Sequence, residues 1–167
     1  MLIFFLIFIL AIAVTTTYAL FSGIGWVPTR QADIDRFLRL ADVGSKEKVY
    51  DLGCGDGRLV ISASKLGAEA IGLEISILLY IGAVLRKFFS GSKAKIKFGD
   101  FWRVDLRQAD VVYLFLIPRV YSRLKNKLEK ELKPGAKVVV LVWPIPGWQP
   151  SVVDKIIGRP TLYLYVR

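Results

Sequence analysis

The sequence contains no histidine and a single cysteine, Cys54. Without histidine there is no imidazole base and no His-ligated metal. One cysteine rules out an internal disulfide and a cysteine-rich zinc cluster, so no metal site is expected. Charge is absent from residues 1–29, and acidic residues are scarce elsewhere: 14 Asp and Glu stand against 24 Lys and Arg, for a net charge of +10. A basic body of this kind suits an anionic neighbour such as a lipid surface or a nucleic acid.

The uncharged stretch begins "MLIFFLIFILAIAVTTTYALFSGIGW". About twenty mostly apolar residues make about 30 Å of helix, the thickness of a bilayer core. Thr15, Thr16, Thr17 and Ser22 are tolerable there because their hydroxyls can bond back to the preceding turn. Tyr18 and Trp26 suit membrane interfaces. A cleaved signal peptide is the alternative, but its n-region is basic and its apolar core shorter. The reading is therefore a retained transmembrane anchor over residues 1–25 and a globular domain over 26–167. Arg30 and the basic body after the anchor place that domain on the cytoplasmic side of a single-pass membrane protein.

Beyond Pro28 the chain alternates short apolar runs with amphipathic segments. Thr29 is positioned to cap a short helix carrying Ile34, Phe37, Leu38 and Ala41 on one face. Strands are expected over 48–52, 68–73, 94–98, 111–116 and 137–143, and helices over 58–66, 76–89 and 119–132. That alternation predicts an α/β fold with a parallel sheet covered on both faces. The tail, "SVVDKII-GRP-TLYLYVR", predicts an antiparallel hairpin at the sheet edge.

The chemistry concentrates in "VYDLGCGDGRLVI" at 49–61. A strand runs into Asp51, Gly53, Cys54, Gly55, Asp56 and Gly57, then into a helix. Glycine is needed where φ is positive or where a Cβ would block a ligand. Ligands of open parallel sheets bind at the strands' carboxyl ends. Glu74, about twenty positions on and at the end of the next strand, can accept both hydroxyls of a ribose. Arg58 stands where a dinucleotide fingerprint needs its third glycine, and the G-K-[ST] of a P-loop is absent. Asp51 and Asp56 would repel a pyrophosphate and suit a cationic nucleoside, which S-adenosylmethionine is. Asp100, at the third strand end, can accept from an adenine amino group, with Phe101 packing on the ring; plain core packing is the alternative for Phe101.

The series "VPT" at 27–29, "DLGCGDGR", "GLE", "GDF", "FLIP" at 115–118 and "WPIPGW" at 143–148 resembles class I S-adenosylmethionine-dependent methyltransferases. More narrowly, it resembles the membrane-anchored protein-lysine methyltransferase family that includes the enzyme modifying the ATP synthase c-ring protein. The resemblance covers nearly the whole chain. It implies a Rossmann-like seven-stranded sheet and adds Thr29 and Ile75 to the cofactor-binding set. The resemblance does not carry a substrate with it; the expected partner is a protein substrate, a lysine in a membrane protein.

A lysine acceptor must shed a proton, and an apolar slot favours its neutral form. Ile117 and Pro118, after the fourth strand, and Trp143 to Trp148, after the fifth, are the expected substrate-pocket walls, with Pro118 and Trp148 the residues singled out. The aromatic faces can also hold a methylated ammonium by cation–π attraction; loop-shaping alone is the alternative. Two other functions fit the same residues: methylation of a lipid, quinone or other small apolar molecule, and non-catalytic binding of S-adenosylmethionine at a membrane. The basic stretches, Arg119 to Lys130 and Arg86 to Lys97, serve as a solvated face or a contact for anionic lipid. They lack the interleaved aromatics of nucleic-acid binders, and "FLIP" lacks the Asp/Asn-Pro-Pro-aromatic motif of nucleobase methylation.

Overall fold

The computed structural model describes residues 1–21 and 27–167. Seven strands form one sheet in the order β3-β2-β1-β4-β5-β7-β6. β1 (Lys48–Leu52), β2 (Glu69–Glu74), β3 (Lys95–Phe98), β4 (Val111–Leu114) and β5 (Lys137–Leu141) are parallel. β7 (Leu162–Val166) inserts antiparallel between β5 and the edge strand β6 (Val152–Asp154). The parallel strands are near-continuous apolar runs because both faces are covered.

Alternation along the strands sorts the core. Tyr50, Leu52, Val112, Leu114, Val138 and Val140 meet Leu124 and Leu128 of α5 (Tyr121–Glu131) on one face. On the other, Val49, Val111, Tyr113 and Val139 meet Ile34 and Phe37 of α2 (Gln31–Leu40) and Leu59, Val60 and Ala63 of α3 (Arg58–Lys65). α4 (Ile77–Ser90) covers β2 and β3. A buried ion network fastens α2 to the C-terminal hairpin. Arg36 donates to Asp33 at 2.8 Å, to Asp154 at 2.9 Å and to the Pro160 carbonyl at 2.9 Å.

Two expectations are corrected. Thr29 does not cap α2; Arg30 is the N-cap residue, and the Thr29 hydroxyl turns inward to the Tyr113 hydroxyl. The membrane anchor also fails. α1 (Leu2–Phe21) lies against α4, and Thr15 bonds back to the Ala11 carbonyl as expected. Yet among the described residues no helix is long and apolar enough to cross a membrane. The unbroken apolar run, residues 2–14, reaches only about 20 Å against a hydrocarbon core of about 30 Å. The single-pass placement with a cytoplasmic domain is overturned with it, as is membrane attachment through that helix. Trp26, the Tyr18 side chain and the expected anchor end at residue 25 lie outside the described residues.

Candidate active site

β1 sits where the chain order reverses, with β2 and β3 to one side and β4 and β5 to the other. Crevices at such switch points, at the strands' carboxyl ends, are where open α/β sheets bind ligands. A cleft opens there. Its walls come from the segment at Pro28 and Thr29, the glycine turn, Glu74, Leu79, Tyr113 and Phe115.

The turn is built by backbone geometry. Gly53, Gly55 and Gly57 have φ of 93°, 54° and 75°, the left-handed region that side chains resist. The Gly53 and Cys54 amides both donate to the Leu73 carbonyl at 2.9 Å, which hangs the turn on β2. Gly57 adds a steric reason: a Cβ there would stand 3.1 Å from the Ala83 Cβ. Cys54 packs beneath the turn against Gly72; it is buried, and burial drives its thiol well up in pKa, so it remains a protonated packing group.

Glu74 is the brace of the site. Its Oε2 accepts from the Gly55 amide at 2.8 Å, and its Oε1 accepts from the Ile75 and Ser76 amides at 2.9 and 2.8 Å. A carboxylate offers about four acceptor positions, so three are spent on the protein's own backbone and about one remains for a ribose hydroxyl. Burial raises the Glu74 pKa, and the three amides oppose that rise.

Asp51 differs. It is 4% exposed, lines the cleft, and has no hydrogen-bonding or ionic partner among the described residues. Burial foremost, then the Glu74 and Asp56 charges, push its pKa up to about 8. A buried carboxyl without a partner fits a ligand that brings a positive charge or an N–H donor. Asp56 is not available in that way. Burial alone would raise its pKa, but Arg58 grips it through Nε and Nη2, the latter at 2.6 Å, and Arg86 adds a contact at 3.0 Å; the net effect is a lowered pKa. Arg58 Nη1 also donates to the Thr29 carbonyl at 3.2 Å. The segment over the cleft is therefore pinned twice, since the Thr29 hydroxyl lies 3.1 Å from the Tyr113 hydroxyl.

The structure thus brings Thr29, Asp51, Gly53, Cys54, Gly55, Asp56 and Glu74 together around one cleft. Gly57 and Ile75 flank it, as the N-cap of α3 and a backbone donor to Glu74. Asp100 stands at the end of β3 and accepts from the Trp102 amide at 3.0 Å, capping a 3₁₀ turn. Phe101 is buried in the core against Trp102 and does not line the cleft. Pro118 is exposed beyond the end of β4, opening a second 3₁₀ turn. Trp148 is elsewhere. Its ring packs on Tyr165, whose partner is Val138 near the start of β5, and its indole donates to Glu129 at 2.8 Å. The turn at Gly147, with φ of 73°, carries it away from the carboxyl edge, so the expected pocket wall is a brace between loop and sheet. Tyr113, Phe115 and Leu79 were not singled out by the sequence. The one signal for Tyr113 was a hydroxyl inside an apolar strand.

The cleft residues fit S-adenosylmethionine: the partnerless Asp51 for its positive charge, the open acceptor on Glu74 for its ribose, and a turn whose amides can approach closely. When bound, that cofactor supplies an electrophilic methyl group.

The chain matches the model of the ANTKMT methyltransferase domain over residues 51–152. It is 41% identical over 149 residues to a protein-lysine N-methyltransferase of Saccharolobus islandicus, covering 84% of this chain and 92% of that one. It is 32% identical over 142 residues to the Homo sapiens lysine N-methyltransferase named for the C protein of ATP synthase, covering 84% of this chain and 60% of the human protein. Among solved structures, an RNA methyltransferase of Salinibacter ruber in complex with S-adenosyl-L-homocysteine superposes with a TM-score of 0.81 at 36% identity, covering 84% of this chain and 93% of that one. The chain belongs to the ANTKMT methyltransferase domain family and is an S-adenosylmethionine-dependent methyltransferase.

Proposed function

We propose that the enzyme methylates the ε-amino group of a lysine in a protein, and that the protein is a membrane protein. The observation that carries this reading is the match to the archaeal protein-lysine N-methyltransferase across nearly the full length of both chains. The membrane-protein part rests on the weaker likeness to the human ATP synthase-directed enzyme, which the chain covers to three-fifths of its length.

The residues at the mouth suit an amine. Beside the cofactor cleft, past the ends of β4 and β5, stand Phe115, Ile117, Pro118 and Trp143. A lysine entering among them loses water, which lowers its pKa from about 10.4 and presents the lone pair. Transfer is an in-line displacement, to which the protein contributes alignment above all. Asp51 and Glu74 hold the donor side, while the Arg58 clip keeps residues 27–29 over the cleft.

RNA is the second reading, because the Salinibacter ruber structure carries that description. The chain offers no amide or carboxylate side chain in "FLIP" to hold a nucleobase amino group. Incubation of the purified enzyme with deuterated-methyl cofactor and, separately, a membrane-protein fraction or total RNA decides between them. Label on lysine in tryptic peptides is the expected outcome; label only in RNA, or only in the lipid extract, overturns the proposal.

A further inference from the structure

At the carboxyl end of β5 the chain does something sequence-local forces oppose. Val142 has φ of 76°, and the Trp143 amide donates back to the Leu141 carbonyl at 3.1 Å. This is a γ-turn of the rare, strained sense, centred on a β-branched residue. Asp42, with φ of 52°, also lies in the left-handed region, but aspartate tolerates it through local hydrogen bonding. Valine has no such relief. The turn is over-determined from both sides. The Val142 amide donates to the Thr161 carbonyl at 2.8 Å, and its side chain packs on the core. Beyond the turn, Ile145 is buried and its amide donates to the Tyr165 hydroxyl at 3.0 Å. Pro144 narrows the backbone of Trp143 further.

All this rigidity holds up a side chain that the fold does not use. Trp143 is 47% exposed. Among the described residues its indole has no hydrogen bond and no ring partner, unlike Trp102 and Trp148. Its place is meaningful: Val140 pairs with Leu114, β4 runs on into Phe115, and Phe115 lines the cofactor cleft. Strain of this kind persists where the surroundings enforce it, and it concentrates at functional sites.

We propose that Trp143 is the wall of the acceptor site that packs on the incoming lysine side chain and contacts its methylated ammonium forms, and that Val142 is a positioning residue that aims it. This rests on the lysine reading above and adds the residue that recognises the acceptor. An indole face attracts a methylated ammonium by cation–π interaction, so the wall that takes water from the incoming amine also holds each methylated product.

The test uses the full chain, ¹⁵N-labelled in its tryptophans and saturated with S-adenosylhomocysteine. The probe is Nα-acetyl-trimethyllysine amide. The Trp143→Phe variant assigns the Trp143 indole signal. Expected: that signal moves saturably while the other three stay. Val142→Gly, which accepts the turn without strain, should weaken probe binding at least about threefold, a fraction of a cation–π contact, with cofactor affinity unchanged; Val142→Ile should restore it. In turnover, Val142→Gly should raise KM for the protein substrate more than it lowers kcat. An unmoved Trp143 signal, or wild-type probe binding by Val142→Gly, overturns the proposal. The titration needs no turnover, so an enzyme that methylates no lysine speaks against the functional reading, and a silent indole speaks against this one.

Discussion

Replacing Asp51 by asparagine should make the free enzyme more stable and a worse cofactor binder. The carboxyl is buried and without a partner, and its pKa is raised from 3.8 to about 8, chiefly by burial. Between those values the unfolded chain has released a proton that the native state retains. Stability therefore falls as pH rises from about 4 to about 8. Each unit costs about 1.4 kcal/mol, so by pH 7 the native state has given up at most about 4 kcal/mol. The Asp51→Asn change keeps the shape and removes that slope, leaving only the smaller, same-signed contribution of Glu74, whose pKa is also raised by burial. Cofactor binding should move the other way. Loss of a charge-assisted hydrogen bond of about 1.5–3 kcal/mol weakens it roughly 10- to 150-fold. Urea denaturation from pH 5 to 8 reads the first effect. Calorimetric titration with S-adenosylmethionine reads the second, and in two buffers of unequal ionisation enthalpy it should show proton release for wild type at pH 7 and none for Asp51→Asn. Equal cofactor affinities, or a stability advantage that does not grow with pH, would refute the reasoning.

Gly57→Ala places a Cβ 3.1 Å from Ala83 at a φ of 75°; a loss of roughly 1–3 kcal/mol is expected, seen as a lower thermal midpoint with weakened cofactor binding. Arg36→Ala leaves Asp33, 1% exposed, without its 2.8 Å partner; breaking a buried pair in this way costs about 3–5 kcal/mol, measured by chemical denaturation, and Asp33→Asn in the same chain should recover part of it.

Much of the sheet was legible because fully buried strands are continuous apolar runs. β1 occupies 48–52 as expected, and the tail forms its antiparallel hairpin beside β5. Where the strands stop was not legible, because long-range partners decide it. β4 ends at Leu114, and two residues on the Leu116 amide turns to the Tyr121 hydroxyl. β5 ends at Leu141, where the strained turn at Val142 begins. The glycine turn and Glu74 announced themselves by spacing. The occupation of Asp56 by Arg58 and Arg86, the latter thirty residues away in sequence, did not. Trp148 was misplaced because the fold-back at Gly147 has no counterpart in hydropathy. The N-terminal anchor misled because its unbroken apolar run, residues 2–14, is shorter than the whole uncharged stretch, and among the described residues no helix is long and apolar enough to cross a membrane.

The cleft at the ends of β1, β2 and β4 is held to present a donor methyl to a protein lysine. Tandem mass spectrometry of a membrane-protein fraction, treated with enzyme and deuterated-methyl cofactor, tests this most directly. Labelled methyl groups should appear on lysine with wild-type enzyme and be lost with Asp51→Asn at limiting cofactor. Label confined to RNA or lipid, or lysine label undiminished in Asp51→Asn, would contradict it.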